Sequence, residues 1–269
     1  MQKQLKNWKS INNNFNKPGF QTPANLKMNK YSLDYSKKIQ SIIKKIIKEE
    51  STKISVAANI IKDSYLKGGQ LYVFGTGHSH MMAEESFHRA GGFAAACPIL
   101  DPNIDFSKGA KKATKLERTP NIAKKVLEKY KIRQKDVMII YSNSGVNHVP
   151  VEAAIIAKKK KIKTISILSY KYAKVAPLSK LKKRLFEITD MFIDNKIPIG
   201  DSLTKVNNIT VGPASTIIGS FILNTILVEL AGKVKNIKPF PFYISSNMPN
   251  ANSNNNLLIK KYKKLNKHL

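Results

Sequence analysis

The sequence predicts an α/β fold, a parallel sheet with helices on both faces. Three observations carry this. Short apolar runs alternate with helical patterns along most of the chain. Two of those runs end in glycine–serine loops that lead directly into helical segments, and a lysine-laced amphipathic helix precedes the first run. Strand and helix alternating at this spacing build βαβ units, whose strands lie parallel.

The elements follow in order. Residues 1–30 carry Asn12-Asn13-Asn14, Pro18-Gly19 and Pro23 with few clustered apolar residues, and are expected to form a flexible arm that could dock through Trp8, Phe15 or Phe20. Ile39, Ile42, Ile43, Ile46 and Ile47 then recur at helical spacing with lysines between them. Such a stripe needs a partner, either the domain's own sheet or a second subunit. The helical pattern resumes at 54–66 and stops at Gly68-Gly69. Next come a strand at 71–74, a helix at 79–89 stopped by Gly91-Gly92, and a strand at 94–98. Residues 101–117 have no regular pattern, and 120–130 is helical with proline near its first turn. Strands are expected at 137–141, 164–168 and 191–193, with a helix at 149–160 and a last long helix at 215–231. The segment 251–269, rich in asparagine and lysine, reads as a polar tail in which Leu257, Leu258, Tyr262 and Leu265 could form a short helix.

The loops Gly75-Thr76-Gly77-His78-Ser79 and Ser142-Asn143-Ser144-Gly145 are the functional signal. Glycine lets backbone turn tightly and approach a ligand closely. Serine hydroxyls and the free N–H groups of a helix start together form an anion site. One such loop is explained by capping alone. Two, each after a strand and neither holding a lysine, arginine, aspartate or glutamate, point to a phosphate-bearing ligand. In open parallel sheets, ligands bind beyond the carboxyl ends of the strands, where both loops fall.

The formal charge of +30 on 269 residues suggests a nucleic-acid or membrane partner, but its make-up argues against either. All but Arg89, Arg118, Arg133 and Arg184 of the 47 basic residues are lysines, spread over nearly every expected helix. Dedicated nucleic-acid recognition gathers basic residues on one face, usually with arginine forks or stacking aromatics. Cys97 is the sole cysteine, so neither an intrachain disulfide nor a cysteine metal cluster can form. Residues 1–16 lack the apolar core of a secretory signal, and the apolar stretch 206–230 is interrupted by asparagine, proline and glutamate. The expectation is a soluble, cytoplasmic protein without membrane association.

With these pieces in place, the chain resembles the sugar isomerase (SIS) domain family of phosphosugar-binding proteins, in a stand-alone bacterial branch. The carrying stretches run from Phe74-Gly75-Thr76-Gly77-His78-Ser79 through Glu84-Glu85 to Arg89-Ala90-Gly91-Gly92. They continue with Pro98-Ile99-Leu100-Asp101-Pro102, Ser142-Asn143-Ser144-Gly145, Val149-Pro150-Val151-Glu152 and Gly212-Pro213-Ala214-Ser215-Thr216. The resemblance implies a flavodoxin-like αβα sandwich with a five-stranded parallel sheet over residues 31–250, forming a homodimer or a higher homo-oligomer. It implies Ser79, Ser142 and Ser144 as phosphate ligands, helped by the N–H groups of Gly77 and Gly145, with Ser215 and Thr216 as a third polar contribution. Val146 stands where close relatives often place arginine, and Asn147 where many place threonine. Binding is therefore better supported than turnover.

Aldose–ketose isomerisation of a hexose or amino-sugar 6-phosphate is the expected reaction. It needs a base beside the substrate carbon and a second proton-moving group, and no cofactor. Glu84, Glu85 and His80 are the candidate catalytic residues, because His80, Glu84 and His88 share a helix face at i, i+4 and i+8. Favourable placement in a first helical turn explains both glutamates equally well. Two helical turns set His80 and His88 about 12 Å apart, too far to share an ion, and no zincin pattern is present. No metal is expected. A non-catalytic sugar-phosphate sensor, or a sugar-phosphate lyase or etherase, is the alternative.

Overall fold

The computed structural model describes residues 28–269, so the arm expected at 1–30 lies, but for its last three residues, outside the described residues. Helix α1, Lys30–Leu66, is continuous over 37 residues where two helical stretches were expected. Its start is capped by the Asn29 side chain, which accepts the Ser32 N–H at 2.9 Å. No glycine or proline interrupts it, so it extends about 55 Å. Ile46, Ile54, Ala57 and Ile61 are buried along it, while Ile47 remains 55% exposed, so the core-facing stripe is narrower than the isoleucine pattern.

Strand β1, Leu71–Gly75, leads through a 3-10 turn, Gly77–His80, into the short helix α2, Met81–Glu85. Then come β2, Ala96–Pro98; α3, Ala110–Leu116; α4, Ile122–Leu127; and β3, Val137–Tyr141. After these follow α5, His148–Lys159; β4, Lys163–Leu168; α6, Tyr170–Val175; and β5, Met191–Asp194. The hairpin β6, Ser202–Val206, with β7, Ile209–Pro213, precedes α7, Ser215–Lys233, and α8, Ala251–Tyr262, closes the chain.

The five strands β1–β5 form one sheet in the order β2-β1-β3-β4-β5, every pair parallel. Every residue of β1 and β3 is buried, which is why both read as unbroken apolar runs. On one face Tyr72, Phe74, Met138 and Ile140 pack with α4 and α5. On the other, Val73, Ile139, Ile165 and Ile167 pack with α1 and α7. The fold is the flavodoxin-like αβα sandwich expected from the sequence. Its chain adds β2 on one side of β1 and β3 on the other, so the topological switch lies between β1 and β3. Gly75 is paired with Tyr141, which brings the two glycine–serine loops out of the sheet side by side.

Four segments depart from expectation. The helix expected over 79–89 ends at Glu85. There the Ser86 hydroxyl bonds back to the Ala83 carbonyl at 2.7 Å, and His88 turns to φ 42. His88 therefore leaves the face it was expected to share with His80 and Glu84. Residues 101–117, expected to be irregular, contain α3, and the lead-in to α7 is the hairpin β6–β7. Residues 251–269 are packed onto the domain: Leu258 and Tyr262 enter the core, and the buried Asn266 donates to the Ala96 carbonyl at 3.1 Å. Among the described helices, α7 alone is long and apolar enough to cross a membrane. Here it buries Ile218, Ile222, Leu223, Ile226 and Leu230 within the sandwich.

Candidate functional site

A cleft of about 370 Å³ opens at the carboxyl ends of β1 and β3, lined by Gly77, Ser79, Ser142, Ser144 and Ser215 among others. The first loop is held tightly under it. A Cβ at Gly75 would lie 2.1 Å from the Ser79 carbonyl oxygen, so only glycine fits, and Gly77 turns at φ +55. The Gly77 N–H donates to the Ile104 carbonyl at 2.8 Å and the Ser79 N–H to Thr76 at 3.0 Å. In the second loop Gly145, at φ +63, donates its N–H to the Ser142 carbonyl at 3.0 Å and hydroxyl at 3.2 Å. The two glycine N–H groups expected to hold an anion are thus engaged in holding their own loops. The N–H groups of Ser144, Val146 and Asn147 have no acceptor among the described residues, and these open the amino end of α5 to a ligand.

Ser79, Ser142 and Ser144 all line this cleft. Thr216 does not line the cleft itself but an adjoining niche of about 10 Å³, which shares Ser79, Ser142, Asn143 and Ser215 with it and has about enough space for one water. At the start of α7 the anion position is already filled. Asp201 accepts the N–H groups of Ser215 at 2.8 Å and Ala214 at 3.2 Å, and the Ser215 hydroxyl at 2.7 Å. Ser215 lines the cleft with its hydroxyl committed to that carboxylate.

Glu84, Glu85 and His80 do not line the cleft of their own chain. The inward face of α2 is taken by Met82 and Ala83, both buried, and Met82 packs on Gly219 and Ser220 of α7. Glu84 projects outward with a 59% exposed side chain, 3.4 Å from His80 Nδ1. Glu85 pairs with Arg89 and accepts from Asn224 at 2.9 Å. His80 is buried with its Nε2 unpartnered. Burial pulls its pKa below 6.5, against the opposing pull of Glu84.

The titratable side chains that do line the cleft are His78, Glu117, Tyr172 and Asp201. Glu117, just past α3, accepts a hydrogen bond from the Thr76 hydroxyl of the first loop. Neither carboxylate was singled out by sequence, because only the tertiary fold brings residues 117 and 201 to the strand ends. Asp101, in the stretch expected to be irregular, is buried against Lys129 at 2.5 Å. Among the described residues, no three histidine, cysteine, aspartate or glutamate side chains gather where they could hold a metal ion.

Residues 34–169 match the SIS domain family. The chain is 40% identical over 215 residues to a UPF0309 protein of Brucella anthropi, covering 79% of this chain and 88% of that protein. A UPF0309 protein of Brucella canis is 37% identical over 215 residues, with the same coverage of each chain. Among solved structures, a phosphoheptose isomerase from Francisella tularensis superposes with a TM-score of 0.51 at 13% identity. That superposition covers 76% of this chain and 98% of the other, and is a likeness of fold. With the parallel five-stranded sheet, the strand-end loops and these matches together, the chain belongs to the SIS domain family.

Proposed function

We propose that this protein binds a sugar phosphate and interconverts its aldose and ketose forms without a cofactor, acting on a hexose or amino-sugar 6-phosphate. The observation that carries the reading is the convergence of the Ser79, Ser142 and Ser144 side chains, from two neighbouring strand ends, on one cleft. The phosphate sits at the second loop, where free N–H groups and the start of α5 favour negative charge. Family membership supports the ligand class.

Isomerisation removes a proton from the carbon beside the carbonyl, giving an enediolate, and returns it to the neighbouring carbon. In this reading Glu117 is the base. It is the cleft carboxylate not spent on capping a helix, and the Thr76 hydroxyl orients it. Glu84, and Glu85 once released from Arg89 and Asn224, would reach a cleft only from a second copy of the chain, whereas His80 is buried within its own. The exposed apolar residues Tyr31, Val211 and Ile217, which line one groove, support the homo-oligomer expected from sequence.

A thermal-shift panel of phosphorylated sugars, followed by NMR of each hit in deuterated water, tests this. Hits should raise the melting temperature, and solvent deuterium should enter C1 or C2. Glu117→Gln should keep the melting shift and lose exchange by about 100-fold or more. Loss with Glu84→Gln or Glu85→Gln instead would reassign the base to α2. Stabilisation without exchange in the wild type would leave a sensor.

A further inference from the structure

The second loop has two sides, and they differ in charge. On the cleft side the lining includes the carboxylates Glu117 and Asp201 and no lysine or arginine. On the other side lies a second cavity, of about 530 Å³, lined by Arg118, His148, Ser179 and Lys180 and by no acidic residue. Ser144, Asn147 and Tyr172 line both spaces, so the two meet around the loop. Neither the Arg118 guanidinium nor the Lys180 ammonium has an ion-pair partner among the described residues, although Arg133 and Arg184 each have one. His148 is 4% exposed, and its Nδ1 has no hydrogen-bond partner. A buried polar atom without a protein partner is uncommon, and one that lines a cavity can be satisfied by a ligand or a water there.

We infer that this second cavity binds a second anionic group of the ligand. The reading rests on the sugar-phosphate assignment and sharpens it to a class: sugars with two anionic ends, either bisphosphates or sugar phosphates bearing a carboxylate. One phosphate takes the free N–H groups and hydroxyls of the second loop. The other anionic group lies between Arg118 and Lys180, where the fork of arginine suits either oxyanion. The sugar spans the shared rim formed by Ser144, Asn147 and Tyr172. Three separate segments contribute: the turn after α3, the start of α5 and the loop after α6.

Calorimetric titration tests the inference with matched probes. These are glucose, mannose and fructose 6-phosphates, their 1,6-bisphosphates, and 6-phosphogluconate. Each is titrated against wild type, the double variant Arg118→Ala/Lys180→Ala, and Ser142→Ala. At least one probe with two anionic groups should bind about tenfold or more tighter than its partner with one, the gain expected of charge-assisted bonds to an oxyanion. The double variant should bring that ratio close to one. Ser142→Ala, confined to the cleft side, should weaken both members of a pair and keep their ratio. Equal loss for both members in the double variant, or no preference in the wild type, overturns the second subsite. If no probe of either kind binds wild type, the sugar-phosphate reading itself has fallen, and this inference with it.

Discussion

The two ends of the sheet treat polar groups in opposite ways. At the amino end nearly all are spent, the exception being the buried Gln70 Nε2, which has no partner among the described residues. Asp136, fully buried, accepts the N–H groups of Gln70 at 2.9 Å and Arg133 at 2.6 Å, together with the Arg133 guanidinium at 2.8 Å. The same guanidinium reaches the Gly68 carbonyl at 3.1 Å, and Ser64 donates to Lys135 at 2.6 Å. At the carboxyl end the arrangement is open: free loop N–H groups, an unpartnered His148 nitrogen, and two cavities around one loop. Satisfied polar groups hold α1, β1 and β3 in place. The unsatisfied ones around the second loop are where the proposed ligand would bind.

That contrast can be broken at either end. The largest effect should come from Asp136→Ala, which leaves Arg133 and the Gln70 N–H without their acceptor. Losing one partner of a buried ion pair costs about 3 kcal/mol, readable as a fall in the urea midpoint. Ser144→Ala should do the reverse. Its stability should stay within about 0.5 kcal/mol of wild type, while the melting shift induced by a sugar-phosphate hit disappears. A large stability loss there would mean that the loop hydroxyls belong with the structural set.

The smallest effect is a pH dependence. Burial holds the His80 imidazole below 6.5, and burial followed by the charge of Lys267 does the same to His268. A group kept neutral in the fold takes up protons more readily when unfolded, so stability falls as pH drops below 6.5. The melting temperature should therefore decline from pH 7 toward pH 5, and His80→Asn should flatten part of that slope. At lower pH a second decline should follow. Burial raises the Asp101 carboxyl, but the bonds from Lys129 and Asn103 outweigh it and hold the group below 3.8. Its stabilisation is present above that value and is lost as pH falls through the lower folded value.

What sequence revealed and what it hid follow from burial and distance. β1 and β3 were legible because strands buried on both faces are continuous apolar runs, and Gly75 because its turn admits no side chain. The start of α7 at Ser215 was also legible. The hairpin β6–β7 was not. It turns in two residues, Asn207 and Asn208, with Asn207 at φ 52, and β7 is almost wholly exposed, so it lacks the continuous apolar run that marks β1 and β3. The end of α2 was hidden because one serine bonding backward outweighs a helical pattern that runs on to Arg89. Glu117 and Asp201 carry no local mark at all. Their place in the cleft depends on contacts from Thr76 and Ser215, 41 and 14 residues away in sequence.

The docked tail matters beyond packing. β2 is three residues long and lies at the edge of the sheet, and the Ala96 carbonyl faces away from β1. Asn266 fills that carbonyl with a side-chain amide, while the Tyr130 hydroxyl bonds both the N–H and the carbonyl of Leu100 just beyond the strand. Lys267 covers the Tyr130 ring at 3.9 Å from its centre. An unpaired sheet edge is where strands of other molecules add and aggregation starts. Proteolysis after Tyr262 would thus uncork the sheet edge and should promote aggregation without touching the cleft.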